Sequence, residues 1–463
     1  MKKNYFTKKL MAASMLLAVS MGMASCSEFL DEVLGTTDNP TTQPTTQPTT
    51  PTTPDPDATM KSTPLTLEAK TAGAVVKFMA NENAVAKDIE YSTDGGTTWT
   101  AGNTAAPGVS VTLTNVGDKV MFRGTTNTYA VVIPGTSPSN PGTYQWNNIS
   151  CTEDCYVYGN IMSLVDATNF ATNTSLPTGT YTFYNLFYDN SKIYNHDTKT
   201  LELPATTLVN YCYKYLFQNC TSLTKAPELP ATTLAEGCYE QMFWHCEALT
   251  TAPELPATTL ANNCYSYMFA FCSALTTAPA LPATTLAEIC YSGMFFYCTA
   301  LTTAPALPAT TLQTKCYSML FMGCSALTTA PVLPAGGDSG SLAEGCYNGM
   351  FCDCTSLEKA PELPATELKT FCYASMFYGC TSLEETPKLP ATDLKAQCYE
   401  DMFSNCTSLK EAWVKGAYTI TNDECKNMFN GCTDASTSTF HSADAANYKA
   451  AFTALTNWTA AAY

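Results

Sequence analysis

The residues with the greatest chemical potential in this sequence are its 22 cysteines, which far outnumber its three histidines. Cysteines in such numbers are typical of a disulfide framework in an exported protein, or of zinc sites. Eight pairs have a spacing of eight residues, from Cys212 and Cys220 through to Cys398 and Cys406, and a ninth pair, Cys425 and Cys432, is one residue shorter. The spacing therefore bears on which of these chemistries is available.

A disulfide within one pair conflicts with helical geometry. Eight residues of helix span about 12 Å, whereas a disulfide needs Cα atoms within about 7 Å. Equivalent cysteines of successive pairs, such as Cys238 and Cys264, can lie about 5 Å apart in a ladder and can be bridged. We favour the alternative, reduced cysteines buried as small apolar side chains, and disfavour zinc because no second pair lies near the first. For Cys151 and Cys155, a local bridge and a place in an N-terminal cap both stay open.

The composition argues against an enzyme and against a nucleic-acid partner. Lys and Arg number 23 against 40 Asp and Glu, which gives a net charge of -17, whereas phosphate binding needs clustered cations. His196, His245 and His441 are far apart in sequence and offer little for acid–base chemistry or a metal site. No converging nucleophile, base and orienting group is recognisable, so we expect no enzymatic activity and no cofactor.

One short motif has the spacing of a sugar-associated hairpin. Residues 92–99, which read STDGGTTW, match the Asp-box seen in sialidase propellers. Propellers repeat such boxes, whereas this chain has one. We therefore interpret Asp94-Gly95-Gly96 as a tight turn in which the glycines supply positive φ and Trp99 packs the hairpin, with a sugar site as the alternative.

The N-terminus predicts an exported, lipid-anchored protein. Residues 1–25 combine four early lysines with an apolar run that is typical of a signal peptide and is shorter than the about 20 residues of a membrane span. Ala24 and Ser25 before Cys26 resemble the lipobox of bacterial lipoproteins, which implies that Cys26 is lipidated and begins the mature chain. Ser27 resembles an outer-membrane sorting residue. These resemblances imply an outer-membrane protein at the cell surface, with the lipid as its only membrane contact.

Composition divides the next part of the chain into three regions. Residues 26–60 hold a Thr- and Pro-rich stretch with too little apolar surface to fold, so we expect an extended stalk. Residues 61–135 alternate apolar and polar residues in short runs, which predicts a small all-β sandwich-like domain. Residues 136–175 are assigned to a connection and an N-terminal cap.

A 26-residue repeat dominates residues 176–432. Its clearest mark is a proline at even spacing, found at Pro204, Pro230, Pro256, Pro282, Pro308 and Pro334. Within one copy, the apolar residues Cys238, Tyr239, Met242, Phe243 and Cys246 fall along one side of a helix. This spacing predicts a short amphipathic helical turn, followed by an extended segment.

Stacked copies of this unit predict an α/β solenoid. About ten leucine-rich-type repeats, each a short strand plus a helical turn, bury their apolar sides only against their neighbours. A proline in nearly every extended segment, such as Pro253, restricts the strands to very short or polyproline-like pieces. Residues 433–463 are expected to form a C-terminal helical cap, with the helix over Ala445–Leu455.

The repeat motif resembles that of a known family. Met242-Phe243, then Cys246 and Leu249, followed by the pattern xxAPxLP, is similar to the leucine-rich repeats of BspA-like surface lipoproteins. Segments within residues 89–164 are similar to the module that precedes those repeats in the same proteins. The resemblance implies adhesion to host extracellular proteins or other cells, and it fixes no binding residues. A glycan-binding component of a surface polysaccharide-capture system is the alternative.

The two residues before the second cysteine of each repeat differ between copies, and variable positions of a solenoid usually face solvent. An apolar, aromatic strip is therefore the candidate partner-binding surface, with packing between repeats as the alternative. The candidates are Trp244, Phe296, Tyr297, Met322 and Tyr378, together with Asp338 from a four-residue insertion in one repeat. A column of threonines at 250, 276, 302 and 328, continued by Glu358 and Glu384, is expected on the extended face.

Overall fold

The computed structural model describes residues 60–81, 84–137, 140–334, 342–415, 424–432, 438–442 and 458–463. The predicted signal peptide, Cys26, the predicted stalk, Asp338 and the helix expected over 445–455 lie outside these residues. The described residues form an N-terminal β unit that continues into a stack of repeats.

Eleven strands form two sheets in the β unit and at its junction with the repeats. They are β1 (Leu65–Ala69), β2 (Ala74–Ala80), β3 (Asp88–Ser92), β4 (Thr100–Asn103), β5 (Val109–Leu113), β6 (Lys119–Arg123), β7 (Ala130–Ser137), β8 (Asn140–Cys151), β9 (Cys155–Asn160), β10 (Ile193–Asn195) and β11 (Leu201–Glu202). One sheet has the order β10-β9-β1-β6-β3-β4, with β11 also beside β9, and the other has the order β5-β2-β8-β7.

The two sheets pack face to face around an apolar core. Alternation along β2 places Val76 and Phe78 on the inner face. Phe78 contacts Phe122 of β6 edge to face, with ring centroids 5.5 Å apart. β8 and β9 come from the region assigned to a connection, and both are inner strands. β10 and β11 pair with β9 in parallel, which joins the first repeats to the β unit.

The prediction of an α/β solenoid with helical turns is wrong. Among the described residues, the helical pieces are two short 3₁₀ turns, Met60–Ser62 and Ile161–Leu164, and both precede the repeats. The middle of each repeat is instead a series of consecutive β-turns. The regular structure of the described residues is therefore almost entirely β.

Backbone hydrogen bonds show why a helix does not form. Alternate N–H groups close turns, as from Met242 N to Tyr239 O at 3.2 Å. The N–H groups between them reach the next repeat, as from Phe243 N to Met268 O at 2.9 Å. A helix sends each N–H to the carbonyl four residues back and leaves none for a neighbour. Half of the donors in these segments therefore hold the stack together.

The spacing of the buried residues is also four residues, whereas a helix has 3.6 per turn. Cys238, Met242 and Cys246 follow one another at this spacing. In a helix each step of four residues turns the side chain by about 40° from its starting face. Here a left-handed residue at every fourth position keeps the face constant, as with Gln241 and His245 at φ of 52° and 57°. Over two turns the two periods select the same residues, which is why the pattern favoured a helix.

The extended segments form isolated parallel bridges between successive repeats, for example from Thr277 to Thr303. Prolines in these segments remove donors that a continuous ladder needs. At the C-terminal end, β12 (Glu411–Val414), β13 (Thr439–Ser442) and β14 (Thr459–Ala461) form a parallel three-stranded sheet.

The core of the stack consists of columns of identical side chains. Tyr265 stacks on Tyr291 with ring centroids 5.7 Å apart, and Phe269 stacks on Phe295 at 5.9 Å. The tyrosine column is Tyr213, Tyr239, Tyr265, Tyr291, Tyr317, Tyr347, Tyr373 and Tyr399. Each copy therefore buries its rings against the copies on both sides.

Candidate functional site

The cysteines are part of this core. All 21 cysteines among the described residues are free thiols, and all but Cys151 are buried. The second cysteine of a repeat donates its thiol hydrogen to a Phe carbonyl of the preceding repeat, as from Cys272 Sγ to Phe243 O at 3.2 Å. The same bond recurs from Cys298 to Phe269 at 3.1 Å. The prediction of buried cysteines is confirmed, and the thiol hydrogen bond adds a contact between repeats that spacing alone does not reveal.

Burial also lowers the chemical reactivity of these thiols. Desolvation raises the pKa of Cys264 and of Cys316 to about 12, and that of Cys398 to about 11. The thiolate is the form that attacks disulfides and binds metals, so these side chains are unreactive near neutral pH. In the described part of the chain, no three Cys, His, Asp or Glu side chains are grouped to hold a metal ion.

A thiol count tests the reduced core. We expect the denatured mature chain to show 21 reactive thiols whether or not reductant is added. The native chain should react slowly at pH 8 because its thiols are buried and protonated. A denatured count that rises strongly only after reduction would show disulfides between repeats instead.

The candidate strip on the turn face is largely covered. Trp244, Phe296 and Met322 have exposed fractions of 2%, 0% and 0% and form a second hydrophobic cluster outside the main core. Tyr297 and Tyr378 lie at its edge and are half-buried. The structure therefore brings these five candidates together, but it leaves only the two tyrosines partly open to solvent. Asp338 lies outside the described residues.

Three half-buried rings form a stack along the same face. His245 lies against Phe271 with ring centroids 4.2 Å apart, and Phe271 lies against Tyr297 at 5.5 Å. All three residues have left-handed backbones, with φ of 57°, 61° and 53°. The stack runs along the axis of the repeats and ends at Gly323, which follows Tyr297 in this column.

Asp353 continues this column as an acidic group. Burial raises its pKa to about 6 from an ordinary value of 3.8. The folded state therefore disfavours the ionised carboxylate. The contribution of this side chain to the free energy of unfolding is therefore fully present only below pH 3.8, where the carboxyl is protonated in both states. The contribution is lost as pH rises through about 6.

Replacement of Asp353 by Asn should stabilise the protein at neutral pH. The amide is neutral at every pH, and asparagine tolerates the φ of 56° at this position. We expect a gain of about 1 kcal/mol at pH near 7.5, falling away towards pH 4. Denaturation midpoints of both proteins across this pH range measure the difference, and a gain independent of pH would contradict the assignment.

The extended face carries exposed hydroxyl columns, as predicted. Thr250, Thr276, Thr302 and Thr328 are all exposed, each beside a second exposed threonine. Thr250 N and Oγ1 both donate to Thr224 O of the preceding repeat, at 2.9 and 3.1 Å. A further column of exposed threonine pairs includes Thr259 and Thr285. Thr259 forms a parallel β-bridge with Thr233, and Thr285 forms one with Thr311. From Thr276 to Thr328 these columns carry no charged side chain, whereas exposed Glu254 lies in the segment of Thr250.

Towards the C-terminal end this face becomes charged and concave. A shallow groove of about 1270 Å³ lies over two repeats. Glu358, Glu362, Glu384 and Glu385 line it together with prolines such as Pro387. All four glutamates are exposed. The change from threonine to glutamate at 358 and 384 is visible in the sequence, but the concavity between the repeats is not.

A second group of aromatic residues lies where the β unit meets the first repeats. Tyr144 of β8 stacks on Tyr184 with ring centroids 5.6 Å apart, and Tyr181 stacks on Tyr211 at 4.9 Å. Trp146 meets Tyr188 at 6.1 Å. All except Tyr184 are half-buried, so parts of five rings reach solvent. Sequence reasoning misses this cluster because its members come from two different units.

The hairpin at 92–99 is accounted for by its own contacts. Asp94 accepts hydrogen bonds from Thr98 Oγ1 at 2.6 Å, from Thr98 N at 2.9 Å and from Ser92 Oγ at 2.7 Å. These bonds, that from the Thr98 hydroxyl first, lower the pKa of Asp94 to about 2. Gly95 and Gly96 have φ of 76° and 89°. The interpretation as a tight turn is confirmed.

These features define a repeat scaffold that presents long side surfaces. Within the described ranges, no helix has the length and apolar character needed to cross a bilayer. The chain belongs to the BspA-type leucine-rich repeat family: the family model, described as a BspA type leucine rich repeat region, matches residues 187–328 and 344–459 in six copies. Comparisons with curated proteins and with solved structures gave no match.

The family sets the broad class of the protein. BspA-type repeats are generally binding scaffolds without enzymatic activity, and they mediate binding to proteins. Proteins that contain them are typically associated with the cell surface. The exposed faces of the stack are the surfaces on which such binding takes place in a solenoid.

Proposed function

We propose that this protein is a lipid-anchored bacterial surface protein that adheres to host extracellular proteins or to other cells through its repeats. The observation that carries the proposal is the continuous exposed face of threonine pairs across successive repeats. Such a face gives a partner many equivalent contacts along one direction, which suits an extended or repetitive protein. Tyr297 and Tyr378 on the turn face are secondary contact candidates.

Anchoring by Cys26 and the Thr/Pro-rich stalk complements this surface. A lipid on Cys26 holds the mature chain at the outer membrane, and the stalk carries the repeats away from it. Metabolic labelling with a fatty acid should mark the wild type and not a Cys26→Ala variant. Protease treatment of intact cells should release the repeats, whereas cleavage only after lysis would place them in the periplasm and contradict adhesion.

Binding to immobilised host extracellular-matrix proteins tests adhesion itself. We expect saturable binding by the mature chain and competition by the soluble matrix protein. Variants with arginine in place of Thr276 and Thr302 introduce bulk and charge on the exposed face without entering the core, and should weaken binding. Unchanged binding of a folded variant would move the contact surface elsewhere.

Glycan binding is the second candidate, favoured by the half-buried rings Tyr144, Trp146, Tyr181, Tyr188 and Tyr211 at the junction. Aromatic faces can stack on the C–H faces of sugar rings, while their polar ends hydrogen-bond. A glycan array probed with wild type and with a Tyr181→Ala variant separates the two functions. Selective sugar binding that depends on Tyr181, in a protein that binds no matrix protein, would reverse the order.

A further inference from the structure

The groove at the C-terminal end of the extended face differs chemically from the rest of that face. Glu358, Glu362, Glu384 and Glu385 surround a floor that includes buried Pro361 and Pro387. At the positions of Glu358 and Glu384, the central repeats carry Thr276, Thr302 and Thr328. This fold position therefore changes from neutral to anionic where the surface becomes concave, whereas the position of Glu362 is also a glutamate outside the groove, at Glu228 and Glu254.

The negative charge of the groove is only partly balanced. Glu384 pairs with Lys410 at 2.5 Å. Lys388 also lines the groove, and its Nζ lies 4.9 Å from the centroid of the Trp413 ring, in a cation–π contact. In the part of the chain that the structure describes, the carboxylates of Glu358, Glu362 and Glu385 form no ion pair, and Lys359 is the one other cation that lines the groove. The surface thus retains unpaired carboxylates over an apolar floor.

The size of the groove favours a polymer over a small molecule. Pockets for small ligands enclose about 300–1,000 Å³, and this groove is larger, at about 1270 Å³, and open. It extends over two repeats, along which exposed carboxylates recur. A chain with regularly placed cations matches this arrangement, and the net charge of -17 draws such a chain towards the protein.

We infer that the groove binds an extended, lysine- or arginine-rich polypeptide segment of a partner protein. Its aliphatic stems pack on the proline floor while its cations meet Glu358, Glu362 and Glu385. This inference rests on the proposed function, because it names the partner chemistry for one part of the adhesive face. The contact is electrostatic and is weakened by salt.

The probe is a fluorescent ten-residue peptide of alternating lysine and alanine, titrated into the full mature chain. We expect its Kd to rise by about tenfold between low and high salt. A Glu362→Gln/Glu385→Gln variant should bind about fivefold more weakly. Both side chains are exposed, so the fold should persist, and circular dichroism of the variant checks this.

The matched control is a Glu228→Gln/Glu254→Gln variant. These exposed glutamates occupy the repeat position of Glu362 but lie outside the groove. The variant loses the same net charge, so it should bind the lysine peptide as the wild type does. A peptide with glutamate in place of lysine should not bind the wild type.

Two results would overturn the inference: equal losses in both double variants, or equal binding of the lysine and glutamate peptides. Matrix-protein binding measured on the same preparations separates this failure from that of the proposed function. If matrix binding persists while the groove variants match the control, the inference about the groove is wrong and the proposed adhesion is supported. If the lysine peptide binds the groove and no matrix protein binds the chain, the inference about the groove is supported and the proposed adhesion is wrong.

Discussion

Replacement of Phe295 by Ala should lower the free energy of unfolding by about 3–5 kcal/mol. Phe295 is fully buried and lies between Phe269 and Phe321, with ring centroids at 5.9 and 5.7 Å. Removing the ring deletes apolar contacts to both neighbouring repeats at once. Because each repeat is stabilised mainly by the repeats beside it, the gap weakens two interfaces in the middle of the stack.

Phe271→Ala is the matched comparison for this prediction. It removes the same atoms from the residue column two positions along the chain, but Phe271 is half-buried and stacks at the surface on His245 and Tyr297. We expect a loss of about half that of Phe295→Ala or less. Chemical denaturation followed by circular dichroism measures both. Equal losses would mean that the buried column of Phe269, Phe295 and Phe321 does not contribute more to stability than the surface stack.

The repeat, its length and its buried residues are predictable from sequence, because a period of 26 and the spacing of Cys238, Met242 and Cys246 are explicit. The local conformation is not. A spacing of four residues over two turns satisfies both a helix and a series of β-turns. The two conformations differ in the acceptor of N–H groups such as that of Phe243. In the structure this acceptor is Met268 O, which belongs to another repeat and is not visible in local spacing.

The candidate surfaces show the same division. The residue type at one repeat position varies between Trp244, Phe296 and Met322. Such variation is equally compatible with exposure to solvent and with burial in a cluster of complementary side chains, which is what the structure shows. Only the register of the stack places them together. The threonine column was predictable because alternation in an extended segment fixes its exposed side. The groove beyond it required the relative position of two repeats.

Gly293→Ala is expected to cost about 2–4 kcal/mol, which is large for a single methyl group. Gly293 has a φ of 59°, and a Cβ there would lie 2.2 Å from Cε1 of Tyr267 in the preceding repeat. Tyr267 is 4% exposed, so its ring has little room to move. The glycine thus accepts the aromatic ring of the repeat before it, and alanine adds both backbone strain and a steric clash.

A Gly345→Ala variant separates the cost of backbone strain from the cost of the steric clash. Gly345 has a similar φ of 56°, but the nearest atom to its added Cβ is Cγ of Lys315 at 3.2 Å, on a flexible side chain. This variant should show the backbone cost alone, about 1–2 kcal/mol. Adding Tyr267→Ala to Gly293→Ala should then recover part of the clash, so the double variant should be more stable than the sum of the single losses predicts. Additive losses would show that Gly293 is required for its backbone conformation and not to accommodate the ring, because only a steric contact couples the two positions.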